Sequence, residues 1–428
     1  MRYRVVAGTI ITMDDNRNIY QPGQLTWEDD RIVSVGALDS DVSAVDKTIH
    51  APEQIVLPGF YNGHNHAAMT LFRGMADDSP LFEWLEQHVW PREAHLTADD
   101  IYAGTLLAAA EMIRSGTVGF ADMYFEVDAV ARAVVDSGLR GWIARGLIGA
   151  QDTSGKNLEQ SIAFAERWRG QAKGRVIPML GPHAPYTCPP EYLADVARAA
   201  QQYDLGIHIH LSESLQEMEQ IQNQYGVSPI QLAADAGIFD NRTLIAHGVH
   251  IGPEDLPYLQ GLRGGVVSCP ISNAKLGNGI MPYGLLADAG VKVGLGTDGA
   301  ASTNTLDMFA EMKAMSWFQK LRMGRPDAFH AYQALYAATR GSAQIFGFDG
   351  GFLNAGHPAD WIMVDTNRPH LTPDWDPVAN VVYAATGADV TYTVVDGVIL
   401  MMDGIITAFD EPAIINDIKQ RHNRIQNN

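Results

Sequence analysis

The chain has 428 residues, 46% of them hydrophobic and 19% charged, enough for a large core in one big domain or two to three ordinary ones. Fifty acidic against thirty basic residues give a formal charge of −20, with no basic patch, which excludes a polyanionic duplex as a natural partner. Two cysteines, Cys188 and Cys269, rule out a disulfide framework or a Cys-rich structural zinc site and suit reduced thiols in a cytoplasm.

The opening "MRYRVVAGTIITMDD" lacks a long apolar core and a small-residue cleavage site, so it reads as a strand and not as an export signal. No uninterrupted apolar segment approaches the roughly 20 residues of a spanning helix, and no membrane role is expected. Residues 1–56 alternate short β-like runs, "YRVVAGTIITM" and "GQLTWEDDRIVSVG", with turn signals such as "MDDN" and "QPGQ", the texture of a small antiparallel sheet.

Over residues 57–350 short apolar runs alternate with amphipathic stretches, the pattern of βα units around a parallel sheet. The runs "IVLPGF", "TVGFADM", "GWIARGLI", "RVIPMLG", "GIHIHLS", "TLIAHG", "GVVSCP" and "VKVGLGTD" make about eight strands, the number that closes a TIM barrel. Between them, "PPEYLADVARAAQQY" and "SPIQLAADAGI" carry apolar residues at helical spacing with Pro near their starts.

Residues 351–428 return to the β texture in "ADWIMVD", "TYTVVDGVIL" and "MMDGIITAF", then end in a helical tail, "EPAIINDIKQRHNRIQNN". The expected fold is therefore α/β, a (β/α)8 barrel over residues 57–350. Residues 1–56 and 351–428 together form a small β-sandwich domain with a C-terminal helix.

In such a barrel the C-terminal ends of the strands open onto the active-site face. The eight runs end in His64/His66, Asp122, Arg145, His183, His210, His247, Ser268 and Asp298, so polar side chains gather at one mouth. His64 and His66 stand at i and i+2, on one side of a strand, where both imidazoles can face one ion. A lone HxH pair is weak evidence, because strands carry such pairs by chance. His210, followed by Glu213, then His247 and Asp298 strengthen it: imidazoles and a carboxylate suit Zn²⁺, with Fe²⁺ or Mn²⁺ as alternatives. His208 shares the alternation of His210 and reads as a barrel-interior residue.

The motifs "PGFYNGHNH", "HIHLSES", "AHG" and "GTDGAAS", in this order, resemble the amidohydrolase superfamily in its mononuclear deaminase branch. More narrowly, "HAAMTLFRGMADD", "GPHAPY" and "NAKLGNGI" are similar to the 5′-methylthioadenosine/S-adenosylhomocysteine deaminase group. The fourth run has no lysine at its end, where dinuclear relatives carry a carboxylated one, so the resemblance implies one metal.

It further implies His64, His66, His210 and Asp298 as ligands that lower the pKa of a bound water. Asp298 would also accept that water's proton, His247 would hydrogen-bond the attacking oxygen, and Glu213 would protonate a ring nitrogen. Two bland roles compete: Glu213 as a cap of the helix "SLQEMEQIQNQY", and His247 as a partner of backbone carbonyls. By matching segments, Glu93 would hold ribose hydroxyls, His183 the base or sugar, and Arg145 the 5′ side, with Trp84 as an aromatic wall. Lys156 is the nearest cation where members that accept S-adenosylhomocysteine place a second arginine, and a lysine lacks the planar fork for a carboxylate.

The implied reaction converts an adenosine-type nucleoside (5′-methylthioadenosine, S-adenosylhomocysteine, adenosine or 5′-deoxyadenosine) to its inosine analogue plus ammonia; the two cysteines suit a cytoplasmic location, and because large acidic barrels commonly associate a homo-oligomer is expected. Hydrolysis of guanine, a pterin or an s-triazine stands as an alternative reading, and a non-catalytic metal-binding scaffold as another.

Overall fold

A computed structural model describes residues 1–39, 41 and 43–426; Ser40, Val42 and the last two residues of the helical tail, Asn427 and Asn428, lie outside the described residues. Eight parallel strands form the barrel: Phe60–Asn65, Thr117–Tyr124, Arg140–Leu147, Val176–Pro182, Gly206–Leu211, Thr243–His247, Gly265–Ser268 and Val293–Leu295. Each is almost wholly buried, as expected of strands covered by helices outside and packed side chains within.

The first and eighth strands close the ring. The Asp298 amide donates to the His64 carbonyl (2.9 Å), and the Asn62 side chain takes over the ladder, accepting from Thr297 N–H (3.0 Å) and donating to its hydroxyl (2.7 Å). Gly296 permits this approach, since a Cβ there would lie 2.5 Å from the His64 nitrogen. The closing seam thus sets the HxH pair beside Asp298, although they are more than two hundred residues apart.

The run "IVLPGF", expected as the first barrel strand, is divided between two sheets. Pro58 ends the strand Lys47–Pro58, paired with Trp361 in the flanking sheet, and Phe60 starts the barrel strand, opposite Thr117. Gly59 makes the crossing where a Cβ would sit 2.1 Å from a Val118 methyl.

The flanking sheet has nine strands drawn from both ends of the chain. It is mixed, where the sequence texture predicts antiparallel pairing throughout. The chain runs from Arg2–Ile11 through the hairpin of Gly23–Glu28 and Arg31–Ala37, then returns as Lys47–Pro58 on the free side of the first strand and parallel to it. The sheet also curls onto itself. Trp27 and Trp361 sit on strands separated by two others, about 14 Å apart in a flat sheet. Their rings meet edge to face with centroids 5.0 Å apart, inside a second core with Val5, Leu25 and Val394.

Arg140, the first residue of the third barrel strand, bolts the two parts together. Its guanidinium donates to both Asp360 oxygens (2.8 and 3.1 Å) and to Asp396, while the Tyr61 hydroxyl donates to Asp360 (2.7 Å). The C-terminal helix Glu411–Gln426 is pinned to the helix Ala98–Arg114, where Arg421 and Arg424 both reach the fully buried Asp100. Among the described residues no helix is long and apolar enough to cross a membrane.

Candidate active site

At the C-terminal mouth, the strand ends bring His64, His66, His210, His247 and Asp298 together. One donor atom each of His64, His66 and Asp298 lies within 4.8 Å of the others, and the same holds for His64, His210 and His247. Three strands end here in the left-handed backbone region at non-glycine residues, Ser212 (φ 55°), His247 (φ 72°) and Asp298 (φ 63°). Such conformations cost of order 1–3 kcal/mol and persist where surrounding bonds enforce them.

The outer ring nitrogens are all engaged. Nδ1 of His66 donates to the Met123 carbonyl (2.6 Å), Nδ1 of His210 to the His183 carbonyl (2.8 Å), and Nδ1 of His64 shares a proton with Nε2 of His208 (2.7 Å). His208 is therefore a buried support of His64. These bonds turn the Nε2 lone pairs inward, the arrangement that orients metal-binding imidazoles.

Spacing tests whether the donors fit one ion. Nε2 of His64 and of His66 each lie 3.4 Å from Asp298 Oδ1, and Nε2 of His66 and His210 are 3.3 Å apart. Donors held about 2.0–2.1 Å from a tetrahedral centre stand roughly 3.3–3.4 Å apart. Nε2 of His64 is buried without a hydrogen-bond partner, which a cation would supply. The residues fit a divalent metal.

Electrostatics agree. Burial pushes the His64 and His183 imidazoles down to about 3, and those of His208 and His210 well below the ordinary value, so all are neutral at physiological pH. Asp298 Oδ2 accepts from Ser272 (2.6 Å) and Ser302 (2.9 Å), and Oδ1 from Gly299 N–H (2.8 Å).

Glu213 does not cap the helix Leu215–Tyr225. The Ser214 hydroxyl accepts from Glu217 N–H (3.2 Å), and the Glu217 carboxylate reaches back to the amides of Ser212 (3.1 Å) and Glu213 (2.7 Å). The Glu213 side chain is left facing the cluster, with Oε2 3.7 Å from His247 Nε2 and Oε1 accepting from Asn278 Nδ2 (3.0 Å). Burial, then the charge of Asp298, raises its pKa to about 8. His247 likewise bonds a side chain, Asn273 Oδ1, 3.0 Å from Nδ1, and among the described residues no backbone carbonyl.

Above the cluster opens a cleft. Trp84, Glu93 and His183 line it, with Leu81, Leu85, Trp90, Phe125, Ile148 and Tyr186 making its walls largely apolar. Trp84 and Glu93 come from one helical excursion after the first strand that widens to a π-helical turn over Trp84–Val89. Glu93 faces the Tyr124 hydroxyl, and burial raises its pKa. His183 is steadied by the Thr187 hydroxyl (3.0 Å). Arg145 does not line the cleft; Gly146 and Ile148 beyond it do. Lys156 is exposed at the start of the helix Lys156–Trp168. Asp122 supports the HxH turn by accepting from Ala67 N–H (2.6 Å). Cys188 is buried against the Leu147 carbonyl with its thiol pKa raised, an inert packing residue.

Sequence reasoning passed over Ser272, Asn273, Asn278, Ser302 and Glu217. The polar run "SNAKLGN" after a strand was the available signal, but which group each amide would meet depends on the folded loop.

The model of the amidohydrolase family matches residues 55–400. Along 426 residues, 99% of this chain and 98% of the relative, the chain is 43% identical to a 5-methylthioadenosine/S-adenosylhomocysteine deaminase of Pelotomaculum thermopropionicum. It is 44% identical to a 5′-deoxyadenosine deaminase of Methanosarcina mazei, over 96% of this chain and 95% of that one. In three dimensions it superposes on a zinc-bound adenosine deaminase from Xanthomonas campestris with a TM-score of 0.96, at 29% identity, covering 100% and 99% of the two chains. With its metal-binding cluster and barrel, the chain belongs to the amidohydrolase family of enzymes, in the group of the 5-methylthioadenosine/S-adenosylhomocysteine deaminases.

Proposed function

We propose that the protein is a hydrolytic deaminase of adenosine-type nucleosides, releasing ammonia and the inosine analogue. The observation that carries this reading is the placement of the Glu213 carboxyl, with Oε2 3.7 Å from His247 Nε2 and facing the His/Asp cluster below a cleft that also holds Glu93; burial raises its pKa to about 8. The names of the relatives support it.

His64, His66, His210 and Asp298 would hold one divalent ion, Zn²⁺ in our reading, with Fe²⁺ or Mn²⁺ compatible with the same donors. Bound there, it supplies the Lewis acidity that makes water a nucleophile near neutral pH. Asp298 takes the proton of the attacking water, and His247 Nε2 fixes the direction of the attacking oxygen. Glu213 gives its Oε2 proton to the ring nitrogen beside the amine-bearing carbon, so charge does not build up in the ring. The proton on Asp298 passes to the amine, which departs as ammonia, while the proton of the new hydroxyl leaves as the carbonyl forms and returns to Glu213, so both carboxyl groups end as they began.

Glu93 accepts from the ribose hydroxyls, His183 hydrogen-bonds the base or sugar, and Trp84 walls the ring by its aromatic face. A 5′ substituent would run past Gly146 and Ile148 toward Arg145. The apolar walls and the exposed position of Lys156 favour methylthioadenosine, adenosine or 5′-deoxyadenosine over S-adenosylhomocysteine. We also propose a cytoplasmic homo-oligomer without nucleic-acid partners, in keeping with the −20 charge.

A spectrophotometric panel of these four nucleosides, with metal content verified, is the test. Adenine-to-hypoxanthine conversion is expected; inactivity on all four, with turnover of guanine, a pterin or an s-triazine, would replace this reading.

A further inference from the structure

The run "SNAKLGNGI", residues 272–280, enters none of these steps, yet three of its side chains end on three different groups of the cleft floor. Ser272 donates to Asp298, Asn273 accepts from His247, and Asn278 donates to Glu213, as measured above. All three are at most 7% exposed.

The two asparagines are one unit. Asn273 lies in the short helix Pro270–Lys275; the chain reverses through Gly277 (φ 69°), and the Asn278 amide returns to the Asn273 carbonyl (2.8 Å). Lys275 ties the segment to its surroundings, donating to Asp77 (2.6 Å) and to Asn304. The positions of the two amides are thus fixed relative to each other, and with them those of His247 and Glu213.

Donor and acceptor chemistry then decides where protons sit. A side-chain amide oxygen only accepts, so the nitrogen of His247 facing Asn273 must carry hydrogen, and Nε2 keeps its lone pair toward the cleft. An amide N–H only donates, so Glu213 Oε1 is held as an acceptor and a proton on this carboxyl resides on Oε2, the oxygen nearer His247. We propose that Asn273 and Asn278 are positioning residues that fix complementary proton placements on His247 and Glu213, so that the two cannot exchange roles. Neither asparagine gains or loses a proton in the reaction.

This inference rests on the nucleoside-deaminase reading. Its test uses the full-length, metal-loaded protein and the variants Asn273→Leu, Asn278→Leu and Asn278→Asp, with metal content measured for each. Losing one such bond is expected to lower kcat about 10–100-fold while KM changes less than about threefold. Purine riboside, whose covalent hydrate would carry a tetrahedral carbon and a protonated ring nitrogen, should weaken in parallel with kcat/KM, whereas inosine should not. Asn273→Asp keeps the acceptor oxygen and should restore most of the rate.

Unchanged kcat in a folded, loaded leucine variant overturns the inference, as does an equal loss of purine riboside and inosine binding. If the leucine variants do not fold, Asn278→Asp, which matches the native shape, decides by the same criterion. Should the wild type turn over no nucleoside, the functional reading fails by itself. The inference is then judged by ¹⁵N NMR of labelled histidine: wild-type His247 should carry hydrogen on Nδ1, and finding it on Nε2 would falsify the proposal.

Discussion

Glu213 sits where water cannot solvate its charge, and that single circumstance makes a carboxyl group useful as an acid at neutral pH. Because its pKa is raised to about 8, the competent protonated form dominates below that value and is lost above it. kcat/KM should therefore decline as pH rises through about 8, a limb that Glu213→Gln removes along with roughly 10²–10⁴-fold in kcat. In the proposed reaction Glu93 has a different task. Glu93→Gln should raise KM for adenosine-type nucleosides about tenfold or more, the worth of a hydrogen bond to a charged group, with a smaller change in kcat. Steady-state kinetics on ribosyl and base-only substrates separate the two effects. The two-residue period put His64 and His66 on a common side, and His210, His247 and Asp298 at the other strand ends made that pair legible as a site. Asn278 was not legible, since its partner lies 65 residues away across a loop.

The turn after the first strand, which carries His66, is supported from outside by a stack of elements. Helix Ala98–Arg114 receives the Thr70 hydroxyl on its Gly104 carbonyl (2.7 Å), and the C-terminal helix clamps the far side of that helix through Asp100. Burial opposes the charge of Asp100, but Arg424, Thr97 and Arg421 overcome it and hold its pKa well below the ordinary carboxylate value. A depressed pKa gives stability that is complete above about pH 4 and is lost as the carboxylate is protonated. Replacing both arginines by alanine should cost about 3 kcal/mol at neutral pH, the penalty of stranding a buried charge, and the difference from wild type should shrink below about pH 4. Urea unfolding at pH 7 and pH 3 measures it. The helical character of the C-terminal tail was legible in its apolar spacing; its docking site was not, because Asp100 looks like any first-turn acidic residue.

The molecule as a whole is held by two long-range closures, the barrel seam and the bolt at its base. An ion at the seam would join residues of the first, fifth and eighth strands, so removing it should loosen the ring. Chelation is expected to abolish turnover and lower the melting temperature, and readded divalent metal to restore both. Free metal at a thousandfold excess over its Kd adds about 4 kcal/mol. At the other end, Asp360→Ala leaves the buried Arg140 without its main partner and should destabilise by about 3–5 kcal/mol. The metal site lies at the opposite face, so metal affinity, read by chelator competition, should be unchanged in this variant.

The order of short apolar runs and amphipathic stretches determined the barrel, because a strand covered on both sides must be apolar throughout and a helix on one side only. The same order placed the histidines and Asp298 at strand ends, and so on one face. Tertiary structure decided what periodicity does not encode. Gly59 splits an apolar run because Val118 occupies the space of its Cβ, and the flanking sheet curls because Trp27 and Trp361 share one core. Glu213 is free for chemistry because Ser214 and Glu217 take up the capping, and two asparagines meet their partners only once the loop has reversed. Local pattern reports which way a side chain faces; which atom it faces depends on segments distant in the chain that only folding brings together.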